Sequence, residues 1–74
     1  MKDWEITNAQ QAVNIVAPVM AGRPRGDIEV ELQHWLARRG ATLPEPQYSI
    51  VIEAVALGSR TVTLRRPNGA VHLP

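Results

Sequence analysis

Clusters of proline and glycine punctuate this chain, and each regular element has to fit between them. Gly22-Arg23-Pro24-Arg25-Gly26, Gly40 followed by Pro44 and Pro46, Gly58, and Pro67-Asn68-Gly69 divide its 74 residues into short segments. Both residue types break regular structure, glycine by backbone freedom and proline by its missing N–H. One domain, residues 1–74, is all the length allows. A chain this short buries only about 60% of the surface its unfolded form exposes. It has no cysteine, so no disulfide or thiolate metal site offsets the entropy of ordering. The core must be efficient, or shared with a partner subunit.

The segment from Thr7 to Ala21 carries Ala9, Ala12, Val13, Val16 and Met20 at helical spacing. Thr7-Asn8-Ala9-Gln10 has the pattern of a capping box, with Thr7 as N-cap and Gln10 reaching back. Pro18 cannot donate to the carbonyl of Asn14, so this helix is expected to kink or end there. A second helix is expected from an N-cap at Asp27, with Ile28, Leu32, Trp35 and Leu36 on its apolar stripe. Asp27, Glu29 and Glu31 near its start and Arg38 and Arg39 in its last turn complement the helix dipole, and Gly40 supplies the left-handed stop.

Residues 47–57 fit two periods. As a strand, the stretch is rich in β-branched Ile50, Val51, Ile52 and Val55. Gly58-Ser59 is then a hairpin turn that sets Val55 opposite Val62, and Asn68-Gly69 is a second turn that sets Leu64 opposite Leu73 and Arg66 opposite Val71. One face collects Val51, Val55, Leu57, Val62, Leu64, Val71 and Leu73, and the misfit on it is Glu53. As a helix, Tyr48, Val51, Ile52, Val55 and Ala56 share a stripe and Glu53 faces solvent. Thr42-Leu43-Pro44-Glu45 would be its capping box and Gly58 its stop. The primary expectation is the strand. It gives an α+β domain, with two N-terminal helices packed on a C-terminal three-stranded antiparallel meander. The alternative is three helices followed by a β-hairpin.

Catalytic groups are sparse. The two histidines, His34 and His72, stand apart from metal-ligand spacing. Ser49 and Ser59 lack the context of a nucleophile elbow. Glu53 is a single carboxyl without a partner in sequence; it sits at a sheet rim, pairs with an arginine, or faces solvent on a helix. The expectation is therefore no enzyme, no cofactor, no metal and no small-molecule substrate. No apolar run reaches the roughly 18 residues of a membrane span, and the opening Met1-Lys2-Asp3-Trp4-Glu5 is not the cationic start of a signal peptide. A cytoplasmic protein is expected. Seven of its eight bases are arginine, a bias common in GC-rich bacteria and their phages.

The bases are unevenly placed. Residues 47–74 hold Arg60, Arg65 and Arg66 against Glu53, a balance of +2. The first 46 residues hold five bases and six acids, a balance of −1. An arginine-bearing hairpin is suited to lie on a phosphate backbone. Gly22-Arg23-Pro24-Arg25 resembles the core of an AT-hook, a minor-groove-binding peptide. Asp27, Glu29 and Glu31 follow at once and would repel phosphate, so an interhelical turn is the expected role.

With residues 44–57 helical, the order of three helices and a hairpin tipped by Pro-Asn-Gly resembles a winged-helix DNA-binding domain. That resemblance spans Thr7 to Leu73. It implies a recognition helix beginning near Pro46, with Gln47, Ser49 and Glu53 outward, and a wing carrying Arg65, Arg66 and Asn68. Two functions thus stand beside each other. The first is a non-enzymatic interaction protein, an adaptor or small inhibitor, binding a larger protein or a second copy through its sheet surface or edge. A phage or mobile-element origin would fit its size. The second is a winged-helix-like DNA-binding regulator. The candidate partner-binding or nucleic-acid-binding residues are Arg23, Arg25, Arg60, Arg65, Arg66 and Asn68.

Overall fold

A computed structural model describes residues 2–65 and 70–72. Three helices precede a two-stranded antiparallel sheet: α1 (Asp3–Met20), α2 (Arg25–Arg38), α3 (Gln47–Ala56), β1 (Thr63–Arg65) and β2 (Ala70–His72). The chain is α+β, but the meander is not formed. Its expected first strand is α3, and the expected Val55–Val62 strand pair does not exist.

Side-chain burial along α3 shows why the helix wins. Val51, Ile52, Ala54 and Val55 are all buried, the i, i+1, i+3, i+4 set of one helical face. A strand would have buried Glu53 and Leu57 beside Val51 and Val55. On the helix Glu53 is half-exposed and Leu57 is 78% exposed. Glu45 supplies the start. Its carboxylate accepts the backbone N–H of Ser49 at 2.8 Å and the Ser49 hydroxyl at 2.7 Å. The pair holds the Glu45 carboxyl below the ordinary carboxylate range, the side-chain bond contributing most and the backbone bond next. The expected Thr42 capping box is replaced by this contact.

Gly58 is the helix stop of the alternative reading, not a hairpin turn. It adopts φ +105°. The Ser59 N–H reaches the Ala54 carbonyl at 3.0 Å and the Gly58 N–H reaches that of Val55 at 3.0 Å, the Schellman arrangement. Gly40 ends α2 in the same way, at φ +62°, with Ala41 N–H on Leu36 O at 2.9 Å. Ala41 and Leu36 are both buried, the apolar contact that accompanies this stop.

The first two helices begin earlier than expected. α1 starts at Asp3, where the Lys2 N–H donates to the Glu5 carboxylate at 3.3 Å. The gain is a further turn that buries Ile6 on the stripe of Ala9, Val13, Val16 and Ala17. Thr7 and Gln10 are therefore mid-helix and form no cap. Pro18 lies inside the last turn, and α1 runs two residues past it. α2 starts at Arg25 because the Pro24 carbonyl accepts the N–H groups of Asp27 (3.1 Å) and Ile28 (3.2 Å). Ile28, Leu32 and Leu36 are buried as expected, while Trp35 is half-buried at the core's rim.

In the hairpin, Thr63 pairs with His72, Leu64 with Val71 and Arg65 with Ala70. The expected register is displaced by two residues. A two-residue Asn68-Gly69 turn requires Pro67 to exchange both ladder bonds with Ala70, and proline has no N–H to give. Ala70 pairs with Arg65 instead, and Leu64 keeps an apolar partner. The expected pairings' other members, Arg66 and Leu73, lie outside the described residues.

Candidate nucleic-acid interface

The edge of β1 away from β2 meets α1. Residues Thr61 to Arg65 alternate exposed and buried, with Val62 and Leu64 inward. Thr61, Thr63 and Arg65 share the outward face, joined across the ladder by His72. The Arg65 guanidinium donates to His72 Nδ1 at 2.7 Å. That bond needs a lone pair on the ring nitrogen and steadies the guanidinium across the strands.

Beside this face, Gln10 takes the place that a third strand would have had. Its side-chain amide donates to the Val62 carbonyl at 2.8 Å and accepts the Leu64 N–H at 2.7 Å. One amide group thus reproduces the donor and acceptor of a neighbouring strand. It also donates to Asn14 Oδ1 at 2.8 Å. A groove of about 490 Å³ runs alongside, lined by Ile6, Thr7, Gln10, Gln11, Asn14, Thr63 and Leu64. The capping pattern at Thr7 does not reveal this role, since nothing in the local sequence points to a partner 52 residues away.

The candidate arginines fall in different places. Arg65 is exposed on the hairpin face, and Arg66 and Asn68 lie outside the described residues. Arg23 and Arg60 are exposed on two turns that meet at one atom. The Val55 carbonyl accepts the Gly22 N–H at 2.8 Å and the Gly58 N–H at 3.0 Å. This junction brings both arginine-bearing turns to the C-terminal end of α3, where cationic groups are favoured by the helix dipole. It also makes Gly22-Arg23-Pro24-Arg25 an interhelical turn: Gly22 sits at φ +79° and Arg23 N–H closes on Met20 O at 3.0 Å. Arg25 is engaged in an ion pair with Glu53, which ties the first turn of α2 to α3.

That pairing leaves α3 with an unusual outer side. Ser49 donates its hydroxyl to Glu45, Tyr48 Oη accepts from Gln33 Nε2 at 2.9 Å, and Glu53 binds Arg25. Gln47 Oε1 is buried without a hydrogen-bond partner. Ile50, at 39% exposed, and Leu57 remain as apolar groups facing outward. A smaller cleft of about 200 Å³ lies between α2 and α3, lined by Arg25, Glu29, Tyr48, Ser49 and Ile52.

On α2, His34 is exposed and meets Trp35 edge-to-face at 5.3 Å. Arg38 lies 5.8 Å above the Trp35 ring. Among the described residues, no three His, Asp or Glu side chains gather as a metal site would require, and no helix is long and apolar enough to cross a membrane.

No known protein family matches the chain, and neither the curated proteins nor the solved structures contain a match to it.

Proposed function

We propose that the chain is a winged-helix-like DNA-binding domain, with the hairpin as its wing and α3 as the helix offered to the groove. The observation that carries this reading is the order of elements. Gln47–Ala56 is helical and Gly58 stops it, and the chain then turns into an antiparallel hairpin whose outward face holds Thr61, Thr63, Arg65 and His72. Hydroxyls and guanidinium groups are the donors that hold phosphate oxygens. Arg23 and Arg60 add positive charge at the far end of α3.

Glu45 stays anionic at the start of α3, so the N-terminus of that helix is not where a phosphate would sit. The hairpin and the α3 C-terminal junction supply the attraction. Binding should therefore be led by phosphate contacts and weaken as salt releases them.

Fluorescence anisotropy with a labelled 20-base-pair duplex, repeated from 50 to 200 mM salt, tests this. The log of affinity should fall linearly with the log of salt concentration, and Arg65→Ala with Arg66→Ala should reduce the slope by about two if each holds one phosphate. Unchanged binding in that double variant removes the wing from the mechanism.

A second reading, an adaptor or small inhibitor of a protein partner, is favoured by the exposure of Leu57 and Ile50 on α3. The three-stranded sheet surface is not formed, and residues 47–56 bury Ile52 and Ala54 in a helix instead. A protein-binding domain of this kind would form a complex, or a homodimer, that is lost in Leu57→Ser and indifferent to duplex DNA.

A further inference from the structure

We infer that α3 reads thymine, through its 5-methyl group, and that Ile50 makes the contact. This rests on the DNA-binding reading above. A recognition helix discriminates bases with whatever its outward side chains leave free. Guanine is read chiefly by arginine or lysine, and α3 has neither. Cytosine is read by a carboxylate, but Glu53 is paired with Arg25. Adenine is read by a bidentate amide, but Gln47 has its carbonyl oxygen buried. The Tyr48 and Ser49 hydroxyls are engaged by Gln33 and Glu45.

Ile50 lies in the N-terminal half of α3, the part of such a helix that approaches base edges. It is exposed and apolar, and the base feature complementary to it is the thymine methyl in the major groove. The occupant of this face is thus a duplex, by charge complementarity. Arg23 and Arg60 stand at one end of α3, and the hairpin bearing Arg65 packs against it. Glu53, the one acid within α3 itself, is neutralised by Arg25, and Glu45 lies before the first turn of the helix.

The test compares three duplexes of equal length by anisotropy: one A·T-rich, the same sequence with uracil in place of thymine, and one G·C-rich. Burying one methyl group is worth about fourfold in affinity. The thymine duplex should bind roughly fourfold tighter than the uracil duplex per contacted methyl, by the same estimate. Ile50→Ala should erase that difference and keep the salt slope, with Ile50→Val intermediate. Salt-dependent binding that is equal for thymine and uracil, or that favours the G·C-rich duplex, overturns this inference and leaves the DNA-binding reading standing. A thymine preference that survives in Ile50→Ala assigns the methyl contact elsewhere and overturns the role of Ile50. No binding to any of the three overturns the DNA-binding reading, and this inference with it.

Discussion

Truncating Gln10 should loosen the whole C-terminal hairpin, although Gln10 lies in the middle of the first helix. Its amide is the partner of two backbone groups, the Val62 carbonyl and the Leu64 N–H, at 2.8 and 2.7 Å. Both bonds are partly buried, and Leu64 itself is 5% exposed. Gln10→Ala removes both at once. Each bond contributes on the order of 1 kcal/mol net, so the expected loss is about 2 kcal/mol. For a domain of this size that lowers the melting temperature by roughly 8–16 °C, since each kcal/mol is worth roughly 4–8 °C. Circular dichroism at 222 nm during heating measures it, and amide hydrogen exchange at Leu64 should accelerate in parallel. Gln10→Glu sharpens the test. A carboxylate still accepts the Leu64 N–H but opposes both the Val62 carbonyl and Asn14 Oδ1. Protonating it restores a donor, so the neutral acid is the form the fold prefers. Its folded pKa is then raised, and the stability it contributes is present below that pKa and lost as pH rises through it. Gln10→Glu should therefore regain stability on acidification. A Gln10→Ala variant within about 0.5 kcal/mol of the parent, the range of an inconsequential surface change, would refute the clamp.

Three further outcomes follow from the same geometry. The Glu45 carboxyl is lowered by its bonds from Ser49, so its contribution to α3 is present above the unfolded carboxylate pKa and lost as pH falls through the folded one; Ser49→Ala should flatten that part of the pH–stability curve measured by urea unfolding. Gly58→Ala should destabilise by roughly 1–2 kcal/mol in thermal melts, because the left-handed φ of +105° is strained for a side chain even where no atom lies within 4 Å. The Arg25–Glu53 pair is largely exposed, at 63% and 45% for its side chains, so a double-mutant cycle should give a coupling below about 1 kcal/mol, while Arg25→Ala alone weakens duplex binding by leaving Glu53 unneutralised.

Much of the helical half is legible in the sequence. The α2 stripe, its Gly40 stop and the interhelical turn at Gly22 follow from side-chain period and backbone chemistry within a few residues. The segment after Pro46 is harder for a specific reason. Val51 and Val55 are four apart, and four is both two strand repeats and one helical turn. The same two residues therefore support either structure. Glu53 and Ile52 decide between them, since a strand must bury the first and a helix the second. The acid that spoils the strand face is the informative residue. Gly58 is ambiguous likewise, because a left-handed glycine serves a hairpin turn and a helix stop equally. Gln10 and Arg25 are opaque for another reason. Their partners, Val62 with Leu64 and Glu53, are distant in sequence, and no local period encodes a tertiary contact. The candidate interface was legible as a set of arginines. The structure adds that Arg25 is engaged and that Arg23 and Arg60 share one end of α3.

In the proposed function, α3 and the hairpin together face a duplex. The most direct measurement is an NMR titration of the protein with an A·T-rich duplex at low salt, following backbone amide shifts. Changes should concentrate at Ser49, Ile50 and Glu53, at Arg60, and along Thr61 to Arg65 and Ala70 to His72. Changes confined to the outer side of α2 around His34 and Arg38, or none at all, would contradict it.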